Sequence, residues 1–183
     1  MRIPRLFPLI LVAACWPAQS ALADSAAEID ADVDQALARF KSEVNGAEVF
    51  LDNAAGILVF PRVIKAGIGI GGEYGKGALR VGGKTVDYYS TAAGSFGFQL
   101  GAQAKSIVIA FMTQEALAKF RDSAGFKVGV DGSVALIDLG AGKTIDTANI
   151  KDPVVGFVFG SKGLMYNLTL EGTKFTKLDI GSD

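Results

Sequence analysis

The sequence contains no histidine and a single cysteine, Cys15. Without histidine, the chain cannot form Ser-His-Asp or Cys-His nucleophile pairs, and almost every zinc arrangement is excluded as well. A pair of carboxylates or a Ser-Lys pair is the chemistry left, and Lys105 lies near Ser95 and Ser106 in the sequence. Because nothing in the sequence marks these residues as activated, we predict a protein that is not an enzyme and that holds no metal or cofactor.

Long apolar runs are also absent beyond the N-terminus. No later segment offers the about 18 uninterrupted apolar residues that a transmembrane helix needs. The N-terminus itself has a charged start at Arg2 and Arg5, an apolar stretch at 6–14 and a small-x-small site that ends at Ala23. This pattern predicts a Sec-type signal peptide over 1–23, cleaved after Ala23, and therefore an exported, periplasmic protein.

A second interpretation of the N-terminus is a lipoprotein signal. The residues up to Cys15 read Val-Ala-Ala-Cys, which fits the loose pattern for a lipidated cysteine. In that case the protein would be an envelope lipoprotein anchored at Cys15. The bulky Trp16 after the cysteine favours cleavage at Ala23 instead.

Cleavage after Ala23 leaves one domain, 24–183, with enough residues for a substantial core. Loss of Arg2 and Arg5 leaves 16 basic against 19 acidic residues, a net charge of -3, which argues against a nucleic-acid partner. Cleavage also removes the only cysteine, so the remaining domain has no disulfide. We expect an exported domain of this size to be stable without one.

Glycine is abundant: all 23 glycines lie beyond residue 23, and they are densest between 55 and 103. They alternate there with larger residues, which is the period of a strand with one nearly bare face. Such a face lets another element or a ligand approach closely. We expect a glycine-rich platform formed by Gly67, Gly69, Gly71, Gly72, Gly75 and Gly77.

Helices are predicted in three places. Apolar residues recur at helical spacing over 25–45, where Ser25 and Glu28 form a capping box. A short helical turn is predicted over 47–54, and Thr113 begins a short helix over 114–121.

Strand patterns fill most of the remaining chain, and Gly82-Gly83 is typical of a hairpin turn. Pro61 is predicted to end the first strand. The predicted strands are 56–60, 65–74, 77–81, 84–90, 94–103, 106–111, 126–130, 134–139, 154–159, 164–170 and 174–179. Strands grouped in this way predict an α+β fold: a glycine-rich antiparallel, barrel-like sheet with a long N-terminal helix and one or two short helices.

Two motifs resemble ligand-binding loops but lack essential residues. Asp30 opens a D-x-D-x-D series, yet the sixth and twelfth positions of a calcium loop are Gln35 and Lys41 here. The series 67–72 contains G-x-G-x-x-G, but the residues that follow it cannot begin the helix that a dinucleotide site requires. We therefore predict neither calcium nor dinucleotide binding.

Basic residues are concentrated in one segment, opposed there only by Glu73. The five cations are Arg62, Lys65, Lys76, Arg80 and Lys84. One interpretation is a solvated strand face that balances the acidic helix over 28–34. The other is a binding patch for lipid head groups, with Lys65 and Arg80 the best placed to contact phosphate.

Four ordered motifs resemble the SYLF domain family. They are 56–61 with 65–72, 89–90 with 94–103, 128–135 and 161–166, and the resemblance spans about 35–180. Several motifs in one order are far more specific than any single glycine run.

The resemblance implies a lipid-binding domain. Eukaryotic relatives bind phosphoinositides and, in some cases, actin filaments, and they carry additional modules. We expect no such module in this chain, and the predicted export signal is of a bacterial type, so we do not expect actin as its partner. The expected function is a non-catalytic phospholipid-binding protein of the bacterial cell envelope that recognises anionic head groups on a membrane surface. The alternative is an envelope protein that binds other proteins and no lipid, and the oligomeric state is open.

Overall fold

The structure, a computed structural model, describes residues 25–97, 103–123, 125–138, 151–160 and 170–180. It contains helices α1 (Ala26–Glu43), α2 (Ala47–Asp52) and α3 (Gln114–Asp122). The strands are β1 (Gly56–Val81), β2 (Lys84–Gly97), β3 (Gln103–Phe111), β4 (Phe126–Lys127), β5 (Ala135–Asp138), β6 (Val154–Phe159) and β7 (Lys174–Leu178). The predicted signal peptide, Cys15 and the predicted strand 164–170 lie outside the described residues, apart from Leu170.

The helices begin where the sequence predicts. The Ser25 hydroxyl accepts a hydrogen bond from the Glu28 backbone N–H at 3.2 Å, and the Thr113 hydroxyl accepts one from Ala116 at the same distance. Both contacts satisfy N–H groups that have no partner within the helix. Gly46, at φ 84°, turns the chain from α1 into α2, because glycine adopts this left-handed conformation without steric cost.

The described strands form one seven-stranded sheet in the order β4-β7-β2-β1-β3-β6-β5, and the sheet curls into a half-barrel. The α+β class is therefore confirmed. Every strand pair is antiparallel except β5 and β6, which run parallel. The antiparallel prediction is wrong for that one pair.

Each face of the sheet carries its own apolar core. On one face, Phe40 of α1 and Phe50 of α2 pack against Phe157 of β6, with ring centroids 5.0–5.2 Å apart. On the other face, Phe120 of α3 packs with Phe111 and other buried rings. Helices cover both faces of the sheet, so nearly all the large apolar side chains beneath them are buried.

Strand β1 is a continuous strand of 26 residues, whereas the sequence pattern predicts three shorter ones. Pro61 does not end it, because the register with β3 shifts between Phe60 and Val63 and a bulge accommodates a residue without an N–H. The first half of β1, up to Lys65, pairs with β3, and the second half, from Gly69, pairs with β2. We call these the first and second halves of β1.

The two halves of β1 bend towards each other at the glycine series. Gly67 has φ 152°, and a Cβ placed on it would overlap Gly71. Beyond the bend, a Cβ at Gly75 would lie 2.6 Å from the carbonyl oxygen of Arg62, and one at Gly77 would overlap that of Val59. The bare face thus allows the backbone of the strand to contact itself.

The hairpin between β1 and β2 is confirmed, with Gly82 at φ 57° and Gly83 at φ 77°, values that suit a tight two-residue turn. The predicted break between 90 and 94 does not occur, because β2 continues to Gly97. Strand β4 is much shorter than the predicted 126–130 and ends at Lys127 in a turn. None of the helices in the described ranges has the length and apolar character needed to cross a bilayer.

Candidate functional site

The five basic residues predicted to bind head groups do not converge, and Arg80 is already paired. Its Nη2 lies 2.8 Å from Asp34 and 3.4 Å from Asp30, both on α1. Asp30 also accepts hydrogen bonds from Thr85 at 2.6 Å and Tyr88 at 3.0 Å. These contacts attach the acidic side of α1 to the β1–β2 hairpin. Of the two interpretations of the basic residues, the structure therefore shows charge balance with the acidic helix for Arg80.

Lys65 belongs to a second internal cluster. Its Nζ lies 3.6 Å from one carboxylate oxygen of Glu73, and the Nζ of Lys105 lies 2.6 Å from the other. The Lys105 side chain is only 3% exposed. Charge reversal at Lys65 or Arg80 would break an internal ion pair, so such variants would report on folding rather than on head-group binding.

The other three cations lie at the surface in two places. Arg62 is exposed, and it makes no ion pair or hydrogen bond within the described ranges. Arg62 and the half-buried Lys76 line one groove of about 270 Å³. Lys84 is exposed at the start of β2, beside the hairpin turn. Of the five predicted cations, the structure therefore brings only Arg62 and Lys76 to one groove, and Glu28 and Asp32 line that groove as well.

Two large apolar side chains are exposed beside Arg62 and Lys76, and a third is exposed further along β1. Ile64 and Tyr74 line the same groove and are about half exposed, while Ile70 is 74% exposed. Even numbers of positions separate Ile70, Tyr74 and Lys76 along β1, so their side chains lie on one face of the strand. We call Arg62, Ile64, Ile70, Tyr74 and Lys76 the outer β1 surface.

A larger polar groove of about 570 Å³ adjoins this surface, and Arg62 and Ile64 line both. One wall is α1, which contributes Asp32 and Arg39, and the other is formed by β1 and β3. The Arg39 guanidinium donates to the Ser106 hydroxyl at 2.5 Å and lies 5.3 Å from the centre of the Phe159 ring. These contacts hold its position.

The glycines of the predicted platform have different surroundings. Gly75 and Gly77 are buried against the first half of β1, so this part of the bare face is already covered by the chain itself. Gly67 and Gly71 meet at the bend. Gly72 is exposed opposite Gly94 of β2, whereas Gly69 pairs with Gly97.

Ser106 and Lys105 do not form a catalytic pair. They are adjacent in β3, so their side chains lie on opposite faces of the sheet. The Ser106 hydroxyl donates to the Pro61 carbonyl at 2.7 Å, and Lys105 binds Glu73. The side chain of Ser95 lies outside the described residues.

Within the described residues, no group of three or more side chains could hold a metal ion. The aspartates of the failed calcium motif lie on α1.

Two tyrosines have raised pKa values and internal roles. Burial, together with the hydrogen bond to Asp30, raises the pKa of Tyr88 above its usual value. Burial, and secondarily the charge of Asp87, raises the pKa of Tyr89 to about 12. The Tyr89 hydroxyl is buried and has no hydrogen-bond partner within the part of the chain described. Neither ring belongs to the outer β1 surface.

The sequence pattern did not reveal the apolar part of the outer β1 surface or the role of Arg39. The alternation along β1 shows which residues share a face, but both faces carry apolar residues. Only the position where α1 stops covering the sheet decides which of them meet solvent. Arg39 lines the same groove as Arg62 because α1 packs across β1, although the two segments are far apart in sequence.

Comparison with known proteins agrees with the resemblance seen in the sequence. Residues 92–179 match the family model described as Ysc84, Las17-binding protein actin regulator, also called the SYLF domain. The match begins within β2, so it includes the later motifs and leaves β1 outside. No curated protein matches the chain. SYLF domains are binding domains linked to lipid and actin and are not a known class of enzyme. The resemblance is confirmed over residues 92–179, the range that matches the SYLF domain family model.

Proposed function

We propose that this protein is a non-catalytic phospholipid-binding protein of the bacterial cell envelope, and that it contacts anionic membranes through the outer β1 surface. The observation that carries the proposal is the exposure of Ile64 and Tyr74 beside Arg62, with Ile70 exposed further along the same strand. Arg62 makes no ion pair among the described residues. The family supports it, because SYLF domains are linked to lipid binding.

The outer β1 surface combines the two interactions that hold a peripheral protein on a bilayer. Exposed isoleucines gain free energy when they leave water, roughly 25 cal/mol for each Å² of apolar surface buried. Tyrosine suits the interface, since its ring can be buried while its hydroxyl stays hydrated. Each Lys or Arg near an anionic leaflet adds about 1 kcal/mol. Apolar groups flanked by cations therefore favour a membrane over bulk water.

The experiment is co-sedimentation of the purified protein with vesicles of phosphatidylglycerol and with vesicles of phosphatidylcholine, each at low and high salt. We expect binding to the anionic vesicles, and we expect high salt to weaken it because salt screens the attraction of the cations. The double variant Ile70→Ser/Tyr74→Ser should bind several-fold more weakly than wild type. Val49→Ser is the matched control, because Val49 is also more than half exposed but lies on α2.

Absence of binding to both vesicle types would overturn the proposal. Equal losses of vesicle binding in the double variant and in the Val49 control would also contradict the proposal, since the outer β1 surface would then have no special role in binding. Thermal unfolding of each variant checks that the folded state is retained.

The alternative is an envelope protein that uses the same apolar surface for a protein partner. The family description favours considering it, because it names Las17 binding and actin regulation. The predicted export signal makes actin an improbable natural partner of this chain. A protein-binding role predicts self-association or a co-purifying protein, with no salt-dependent binding to vesicles.

A further inference from the structure

We infer that the polar groove between α1 and strands β1 and β3 binds a phosphate ester through Arg39 and Arg62. We call it the Arg39–Arg62 groove. The inference deepens the proposed function and rests on it for the source of the ligand, because the phosphate would be that of a lipid head group at the membrane surface.

The first argument is the position of Arg39. Its contact with Ser106, the nearby Phe159 ring and a 3.8 Å ion pair with Glu43 hold the guanidinium at the groove wall. Gly160 borders the same space, and a Cβ there would lie 3.1 Å from Nη2 of Arg39. A guanidinium held in this way loses little conformational freedom when it binds a ligand.

The second argument is the hydrogen-bonding capacity that is left. A guanidinium has five N–H donors. The hydrogen bond of Arg39 to Ser106 uses Nη2 and its ion pair with Glu43 uses Nε, and within the described residues no contact uses Nη1. Within the described residues, Arg62 makes no ion pair or hydrogen bond, so all its donors are unused there. Two guanidinium groups with unused donors on one groove can bind the oxygens of a phosphate by charge-assisted hydrogen bonds.

The third argument is the location of the groove. Arg62 and Ile64 line both the Arg39–Arg62 groove and the smaller groove of the outer β1 surface. A protein that inserts Ile70 and Tyr74 into the interface would therefore hold the groove beside the head groups. The volume of about 570 Å³ leaves room for a head group larger than phosphate alone.

Asp32 is the acidic residue on the α1 wall of the groove, and it makes no ion pair within the described residues. Its charge opposes that of a bound phosphate. Replacement of Asp32 by asparagine should therefore tighten phosphate binding, a gain that loss of folding cannot imitate.

The test is isothermal titration calorimetry of the full protein with sn-glycerol 3-phosphate and with inorganic phosphate. We expect Arg62→Gln to weaken binding about tenfold, the effect of losing one charge-assisted hydrogen bond. Asp32→Asn should strengthen binding several-fold. Lys119→Gln is the control, because Lys119 is an exposed cation on α3 and does not line the groove.

Competition then identifies the source of the phosphate. If excess sn-glycerol 3-phosphate reduces binding to phosphatidylglycerol vesicles, the groove holds a lipid head group. If glycerol phosphate binds the protein and does not compete with vesicles, the groove binds a soluble phosphate ester and the lipid assignment is overturned. Absence of any titratable binding in wild type, or equal affinities in wild type, Arg62→Gln and Asp32→Asn, would overturn the site itself.

These outcomes are separate from those that test membrane binding. Loss of vesicle binding in Ile70→Ser/Tyr74→Ser, with phosphate binding unchanged, supports both proposals. Vesicle binding without phosphate binding would leave the proposed function intact and remove only the groove.

Discussion

Gly77 lies so close to Val59 that a methyl group on it would overlap the Val59 carbonyl oxygen. The two residues belong to the same strand, β1, and stand 18 positions apart. Their contact explains why the sequence alternates glycine with larger residues here: the bare face accommodates the strand's own first half. Ile70 and Tyr74 lie on the opposite face of β1 and are exposed.

Gly77→Ala should lower the free energy of unfolding by about 2 kcal/mol or more, because the added methyl group overlaps backbone that cannot move independently. Chemical denaturation measures the change. Gly94→Ala is the control, since a Cβ there has nothing within 4 Å, and its effect should stay within about 0.5 kcal/mol. Similar stabilities for the two variants would show that β1 is not packed against itself.

Arg80→Gln should destabilise the protein by about 1–3 kcal/mol, because it leaves Asp30 and Asp34 without their shared cation and loosens α1 from the hairpin. Asp32→Asn is the matched control for stability: Asp32 lies between these aspartates on α1 and makes no ion pair within the described residues. Urea unfolding compares the variants. If Arg80→Gln is as stable as the Asp32 variant, the attachment of α1 does not depend on these pairs.

Glu73→Gln should be strongly destabilising, by about 3–5 kcal/mol, because it leaves the buried Lys105 ammonium without its counter-charge. The double variant Glu73→Gln/Lys105→Met should recover much of that loss, since the most deeply buried charge is then removed and only the less buried Lys65 is left without its partner. A double-mutant cycle of unfolding free energies measures this coupling. Additive effects would contradict the direct pairing.

Stability should fall as the pH rises from about 10 towards about 12, and Tyr89 should contribute to the fall. Its pKa is raised to about 12 in the folded protein, against about 10 in the unfolded chain. Between these values the folded state binds more protons, so the free energy of unfolding decreases with pH. The loss is complete above the folded pKa.

Tyr89→Phe tests this origin directly. The variant should show a smaller loss of stability over that pH range, and near neutral pH it should be as stable as wild type or more so, because it removes a buried hydroxyl without a partner. Thermal unfolding at several pH values measures both effects. An unchanged pH profile would assign the loss of stability to other groups, of which the neighbouring Tyr88 is the first to test.

The helices and most strands follow from local patterns. Ser25 and Thr113 mark helix starts because their hydroxyls satisfy backbone N–H groups within the next turn, an interaction contained in four residues. The Gly82-Gly83 turn is equally local. The continuous course of β1 through Pro61 is not local, since it depends on a bulge against β3, a strand that begins only at Gln103.

For the candidate site, too, some features follow from the sequence and others depend on the tertiary structure. Four features follow from the amino-acid sequence alone: the α+β class, the absence of histidine chemistry, the concentration of cations between Arg62 and Lys84, and the resemblance to SYLF domains. Which of those cations are available to a ligand depends on the tertiary structure. Arg80 and Lys65 lie against carboxylates of α1 and of the second half of β1, whereas Arg62 lies where α1 and β1 leave a groove. Attraction between charges depends on distance in space, and the packing of α1 across a bent strand sets those distances.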